Sequence, residues 1–289
     1  MSAAITVVGL QETSAPAAPG TAQLLLGLAL ISASLSVAPL AVVIARRVFP
    51  GRNIFFARWG FSHVLFVVLA FIGLYGAASL VVSATDAREQ LEGLPGVVIS
   101  AALTACVVAL VFRFAHTLDP DGWRSLGLRA GGNLRALGVG LIGLAVAVPA
   151  LFGALLAWPW VLDRLGIEIV PQEVAQLAQR LHGWELALFV VLAVVVIPLF
   201  EELLFRAFLQ PLLVQNLGDR GGVAVTAVLF AGLHGATAFL PVFVLALVLG
   251  SVMLRTQRLG AVWFVHGLHN GLVLAMLLCV PSARDVLGQ

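Results

Sequence analysis

Glu201 and Glu202 stand side by side in an otherwise apolar stretch, with Arg206 four residues further on. Leu186 to Phe200 upstream carries no charge, and the arginine is flanked by Leu203-Leu204-Phe205 and Ala207-Phe208-Leu209. A charge at bilayer depth costs roughly 2.5–3.5 kcal/mol on insertion scales, so three within six residues point to function. On a helix Glu202 and Arg206 share a face and can pair, while Glu201 points about 100° away. One carboxylate is then held by the cation and the other is left for proton transfer. The plain alternative for this run is a charge-paired element of a transporter, working as a proton relay.

Two further groups carry polar chemistry inside apolar segments. His234 is set between Gly232 and Gly235, with Phe230 one turn earlier. Read alone, a single intramembrane histidine is an interhelical hydrogen-bonding residue. His266 and Asn270 are four apart and share a helix face, offering two donors toward a developing oxyanion, as acyl transfer requires. His269, three positions from His266, offers instead an i,i+3 metal pair. The plain reading of this cluster is helix–helix hydrogen bonding.

The elements that carry these residues are membrane spans. Of 289 residues, 61% are hydrophobic and 10% charged, with mean hydropathy +1.07; a soluble domain carries about 25% charged residues. A polytopic helical membrane protein is expected, in contact with lipid on all sides. The net charge of +2 is small and dispersed, which argues against nucleic-acid binding. Cys106 and Cys279 both sit in apolar runs and read as packing residues, without a zinc or disulfide pattern. Every basic residue is arginine.

A crossing needs about 20 apolar residues. Eight candidate spans follow, at 22–45, 60–84, 94–113, 136–158, 185–213, 221–240, 241–255 and 259–280. The seventh is short and begins at Pro241. The first lacks a basic leader and is too long for the apolar core of a cleavable signal peptide. Arginines alternate along the connections: Arg46, Arg47, Arg52 and Arg58, then Arg113, Arg124, Arg129 and Arg135, then Arg220, then Arg255 and Arg258. The intervening connections hold Asp86, Arg88, Glu89 and Glu92, and Asp163, Arg164, Glu168, Glu173 and Arg180. The positive-inside rule places the arginine-rich connections in the cytoplasm. Trp59, Trp123, Trp158, Trp160 and Trp184 near span ends suit an interfacial aromatic belt. Val174, Leu177, Ala178 and Leu181 form a helical stripe in the 159–184 connection, suited to lying along the outer membrane surface. Counting the helical rise, His234 falls near the middle of the sixth span and His266 roughly 10 Å into the eighth.

Glu201-Glu202-x-x-x-Arg206, Phe230-x-x-x-His234 and His266-x-x-x-Asn270, in this order, resemble the CPBP family. That family comprises CAAX prenyl proteases and bacteriocin-processing intramembrane peptidases, type II CAAX prenyl endopeptidases among them. The resemblance covers about 185–280; Ala207 stands where a glycine often follows the arginine. It implies an all-α, polytopic bundle of about eight transmembrane helices enclosing a cytoplasm-facing cavity. Residues 1–135 would supply spans one to three and a cytoplasmic loop, and 136–289 would hold the catalytic core. The implied activity is an intramembrane endopeptidase of a bacterial plasma membrane, acting on a membrane-associated peptide or protein. Glu201 and His234 would activate water, His266 and Asn270 would stabilise the oxyanion, and Glu202 and Arg206 would support the site. No cofactor is needed for that chemistry; a zinc-dependent version would use Glu201, His234 and His266. A catalytically silent immunity or scaffold member is the remaining alternative within the family.

Overall fold

The computed structural model describes residues 20–50, 57–85, 87, 91–129, 131–169 and 173–279, apart from the side chains of 173 and 174. Arg52, Asp86, Arg88, Glu89 and the Glu173 and Val174 side chains therefore lie outside the described residues. Its helices are α1 (Thr21–Val48), α2 (Phe61–Ala84), α3 (Leu94–Leu118), α4 (Asn133–Arg164) and α5 (Glu173–Arg180). They continue as α6 (Gly183–Val191), α7 (Ile197–Glu202), α8 (Gln210–Gly232), α9 (Gly235–Thr256) and α10 (Leu259–Cys279). Two wide π-helical turns, Leu192–Val196 and Leu203–Leu209, join α6 and α7 to the first part of α8, and the helix breaks at Gly218 (φ 73°, ψ 173°), where the chain folds back so that Gly222 packs on Val214. Among the described residues seven stretches are long and apolar enough to cross a membrane, with Gly183–Gly232, broken at Gly218, counted as one. The all-α, multi-pass expectation is borne out, and the described residues form no strand.

α4 is the axis of the bundle. On one side it packs against α1 in antiparallel register, Gly27 against Gly153 and Ser34 donating to the Val146 carbonyl. A Cβ at either glycine would run into the other's carbonyl, so the two backbones approach only because both positions are glycine. On another side Gly140 and Gly143 meet Val265, Val252 and Val248 of α10 and α9. Leu25, Leu35, Leu65, Leu80 and many other apolar residues of α1 and α2 face outward, which suits hydrocarbon.

One end of the bundle collects the arginine-rich connections. There Trp59 donates to the Phe208 carbonyl at 2.8 Å, Gln215 to Ala57 at 3.3 Å, and the Leu259 amide to Gly127 at 3.2 Å. Trp59 is 2% exposed and its ring stacks on Phe208, so it is a core residue rather than part of an interfacial belt. Trp123 and Trp184 are exposed near span ends, as the belt requires. α5 forms where the apolar stripe predicts it, with Ala178 buried and Leu177 and Leu181 packed beside Phe189 and Leu277.

The largest departure lies between the sixth and seventh spans. α8 bends at Gly218 (φ 73°) and ends at Gly232, and α9 begins at Gly235 (φ 80°). The seventh span is therefore a full 22-residue helix with Pro241 inside it, and the sixth is the short one. His234 stands at the junction, as the cap of α9, instead of in mid-helix. The mostly apolar segment Ala236–Leu240 hides the break, which two flanking glycines and a positive φ at Gly235 make possible.

Candidate active site

Pro198 sets the local geometry. Lacking an N–H, it cannot bond back to the carbonyl one turn earlier, and the preceding turn widens to the π-helical Leu192–Val196. The carbonyls so exposed are met from α10. Asn270 Nδ2 donates to Ala193 O at 3.1 Å and Trp263 Nε1 to Val195 O at 2.8 Å. Between them Gly267 lies so close to the Val194 carbonyl that a Cβ there would collide with it. Positions 263, 267 and 270 thus form one face of α10, docked against three consecutive carbonyls.

That docking holds α7 beside His266. Its Nδ1 donates to Glu202 Oε1 at 2.8 Å, since a carboxylate can only accept, and its Nε2 lies 3.7 Å from Glu201 Oε2. The adjacent glutamates diverge as their helical spacing requires, yet the two nitrogens of one imidazole reach both. Glu202 also pairs with Arg206, Oε2 to Nε at 3.4 Å, both side chains fully buried. The guanidinium carbon sits 4.2 Å over the Phe230 ring, and the Arg206 nitrogens make no hydrogen bond among the described residues. Ion pair and ring face together offset the cost of burying the cation.

His234 completes the group from the α8–α9 junction. Its Nδ1 donates to the Phe230 carbonyl at 2.8 Å, and its Nε2 lies 3.9 Å from Glu201 Oε1. The Glu201 and His234 side chains are 24% and 32% exposed, against 0% for Glu202 and Arg206. Phe230 links both parts, touching the rings of His234 and His266 at 4.6 and 5.9 Å between centroids.

Glu201, Glu202, Arg206, His234 and His266 are therefore brought together. Asn270 is on the same face of α10, but one of its amide hydrogens is spent on Ala193. Among the described residues no three of His, Cys, Asp and Glu converge as metal ligands. Glu201 turns one oxygen toward His234 and the other toward His266. Trp263 and Gly267 escaped the sequence reading; the signal available was their heptad-like spacing with Asn270, on the same helix as His266.

Residues 183–272 match the family model described as type II CAAX prenyl endopeptidase, Rce1-like. This region is Rce1-like. It runs from the start of α6 into α10 and contains every residue of the cluster, as the resemblance of the motifs implies. No curated protein and no solved structure matches the chain. The Rce1-like region is named for a protease family, whose substrates are proteins or peptides, and it lies within a multi-pass membrane protein.

Proposed function

We propose that the protein is an intramembrane endopeptidase in which Glu201 and His234 together activate a water molecule. The observation that carries this reading is the 3.9 Å separation between Glu201 Oε1 and His234 Nε2. That is too long for a direct hydrogen bond. With Nδ1 holding its proton on Phe230 O, neutral His234 presents Nε2 as an acceptor, so two acceptors face each other. A water with two O–H groups suits both: Glu201 takes one proton as the oxygen attacks a peptide carbonyl, and His234 orients the other.

The remaining residues hold the reacting centre. His266, fixed through Nδ1 on Glu202, keeps Nε2 at the edge of Glu201, where a protonated nitrogen would donate to the tetrahedral oxyanion. Asn270 keeps one amide hydrogen for the same purpose while its other braces the π-turn. Glu202 and Arg206 neutralise one another and leave Glu201 as the carboxylate open to substrate. This reading assigns no step to zinc, and metal analysis of the active purified protein tests the zinc-dependent version with Glu201, His234 and His266 as ligands. The arginine-rich end reads as cytoplasmic, and His266 lies about 10 Å along α10 from Leu259 at that end. A substrate entering from the cytoplasmic boundary is accordingly favoured, and prenylated CAAX-type peptides are the first class to test.

The test uses purified protein in proteoliposomes with a fluorogenic prenylated peptide. Cleavage by the wild type and its loss in Glu201→Gln are expected. Undiminished cleavage by Glu201→Gln, or proton-coupled flux without proteolysis, would overturn the assignment.

A further inference from the structure

Independently of the catalytic reading, we propose that the arginine-rich end holds a binding site for the phosphate of an anionic phospholipid headgroup. Its residues are Arg46 and Arg47 of α1, Arg135 of α4, and Arg255 and Arg258 at the α9–α10 turn.

The helix register brings them together. Gly27 opposite Gly153 and Ser34 opposite Val146 define the antiparallel pairing of α1 and α4. Continued to the end of α1, it puts Arg46 opposite Leu134 and Arg47 opposite Asn133. Arg255 reaches this corner directly, its Nη2 donating to the Arg46 carbonyl at 3.3 Å. Arg258 reaches it from the other side, where a Cβ at Gly132 would meet its Nη2 at 3.4 Å and its Nε at 3.5 Å. Gly131 and Gly132 both have positive φ, 77° and 71°, which lets the loop turn tightly under the guanidinium.

None of the five arginines pairs with a carboxylate among the described residues, and the neighbouring stretches 51–56 and 130 contain no acidic residue. The nearest acid in sequence, Asp121, is taken by Arg129. Among the described residues, Arg255 Nε and Arg258 Nε are buried without a hydrogen-bond partner. The unpartnered Nε groups of Arg255 and Arg258 can be satisfied by an anion, and the planar fork of arginine suits phosphate. The surroundings favour a lipid as its source. Leu134 is 85% exposed beside the cluster, and Leu40, Val43 and Val48 continue an outward apolar row down α1 along which acyl chains can lie.

The full-length protein is purified in neutral detergent, and binding of phosphatidylglycerol, phosphatidylcholine and inorganic phosphate is followed by native mass spectrometry and thermal protection. Selective, salt-sensitive retention of phosphatidylglycerol is expected. Arg255→Gln/Arg258→Gln is expected to lose it by roughly 25-fold, from about fivefold per arginine near a membrane surface. Arg255→Lys/Arg258→Lys should keep most of the binding, and Arg164→Gln/Arg180→Gln, away from the cluster, should keep all of it. Protection by inorganic phosphate alone, lost in the same double variant, would support the anion site with its source in solution. Equal retention of both lipids, or retention unchanged in a folded Arg255→Gln/Arg258→Gln, would overturn the proposal.

Discussion

The site has two regions that use the same residue types for opposite ends. Glu202, Arg206 and His266 form a sealed layer in which every charge faces another protein group, and Phe230 closes it. Glu201 and His234 form an open layer, partly exposed and held at 3.7–3.9 Å from their neighbours. On the proposed mechanism the two adjacent glutamates differ in role because Glu202 is held by His266 and Arg206 while Glu201 stays partly exposed.

Breaking the open layer should have the largest effect on turnover. Glu201→Gln is expected to lower cleavage by roughly 10²–10⁴-fold, the range for a positioned general base. His234→Ala should follow with a smaller loss, because Glu201 still reaches the water; kcat should fall more than KM rises in the reporter assay. Breaking the sealed layer should act on folding instead. Arg206→Ala strands the buried Glu202 charge, at about 3–5 kcal/mol. Thermal unfolding in detergent is expected to show a large loss, and Arg206→Lys only partial rescue, since lysine lacks the planar group that lies on Phe230.

The docking face of α10 sharpens the contrast at smaller scale. Trp263→Phe removes the donor to the Val195 carbonyl, an exposed hydrogen bond, at about 0.5–1.5 kcal/mol. Because the π-turn it braces leads straight into Pro198 and Glu201, kcat is expected to fall with little change in KM. Loss of stability alone, with kcat intact, would make Trp263 a packing residue only.

Much of this was legible in the chain. The apolar periodicity and length of the runs define the spans, and four-residue spacing alone pairs Glu202 with Arg206 and separates Glu201. What escaped depends on contacts between distant segments. The π-turns cannot be counted from a 3.6-residue repeat, and they shift the register on both sides of the glutamates. Pro198 marks the position, but the donors that stabilise the wide turn are 68 and 77 residues away. The break at His234–Gly235 sits within a continuous apolar run, so hydropathy places it six residues late, at Pro241. Trp59 looks interfacial by its position and is buried because Phe208 and its carbonyl receive it.

The most direct measurement pairs turnover with thermal unfolding for Glu201→Gln and Glu202→Gln, in the same detergent and with the same reporter. Glu201→Gln is expected to unfold within about 2 °C of the wild type while failing to cleave; Glu202→Gln should unfold lower by roughly 6–20 °C, from about 3–5 kcal/mol. A Glu201→Gln protein that still cleaves, or a Glu202→Gln protein as stable as the wild type, would contradict the division of labour between the two carboxylates.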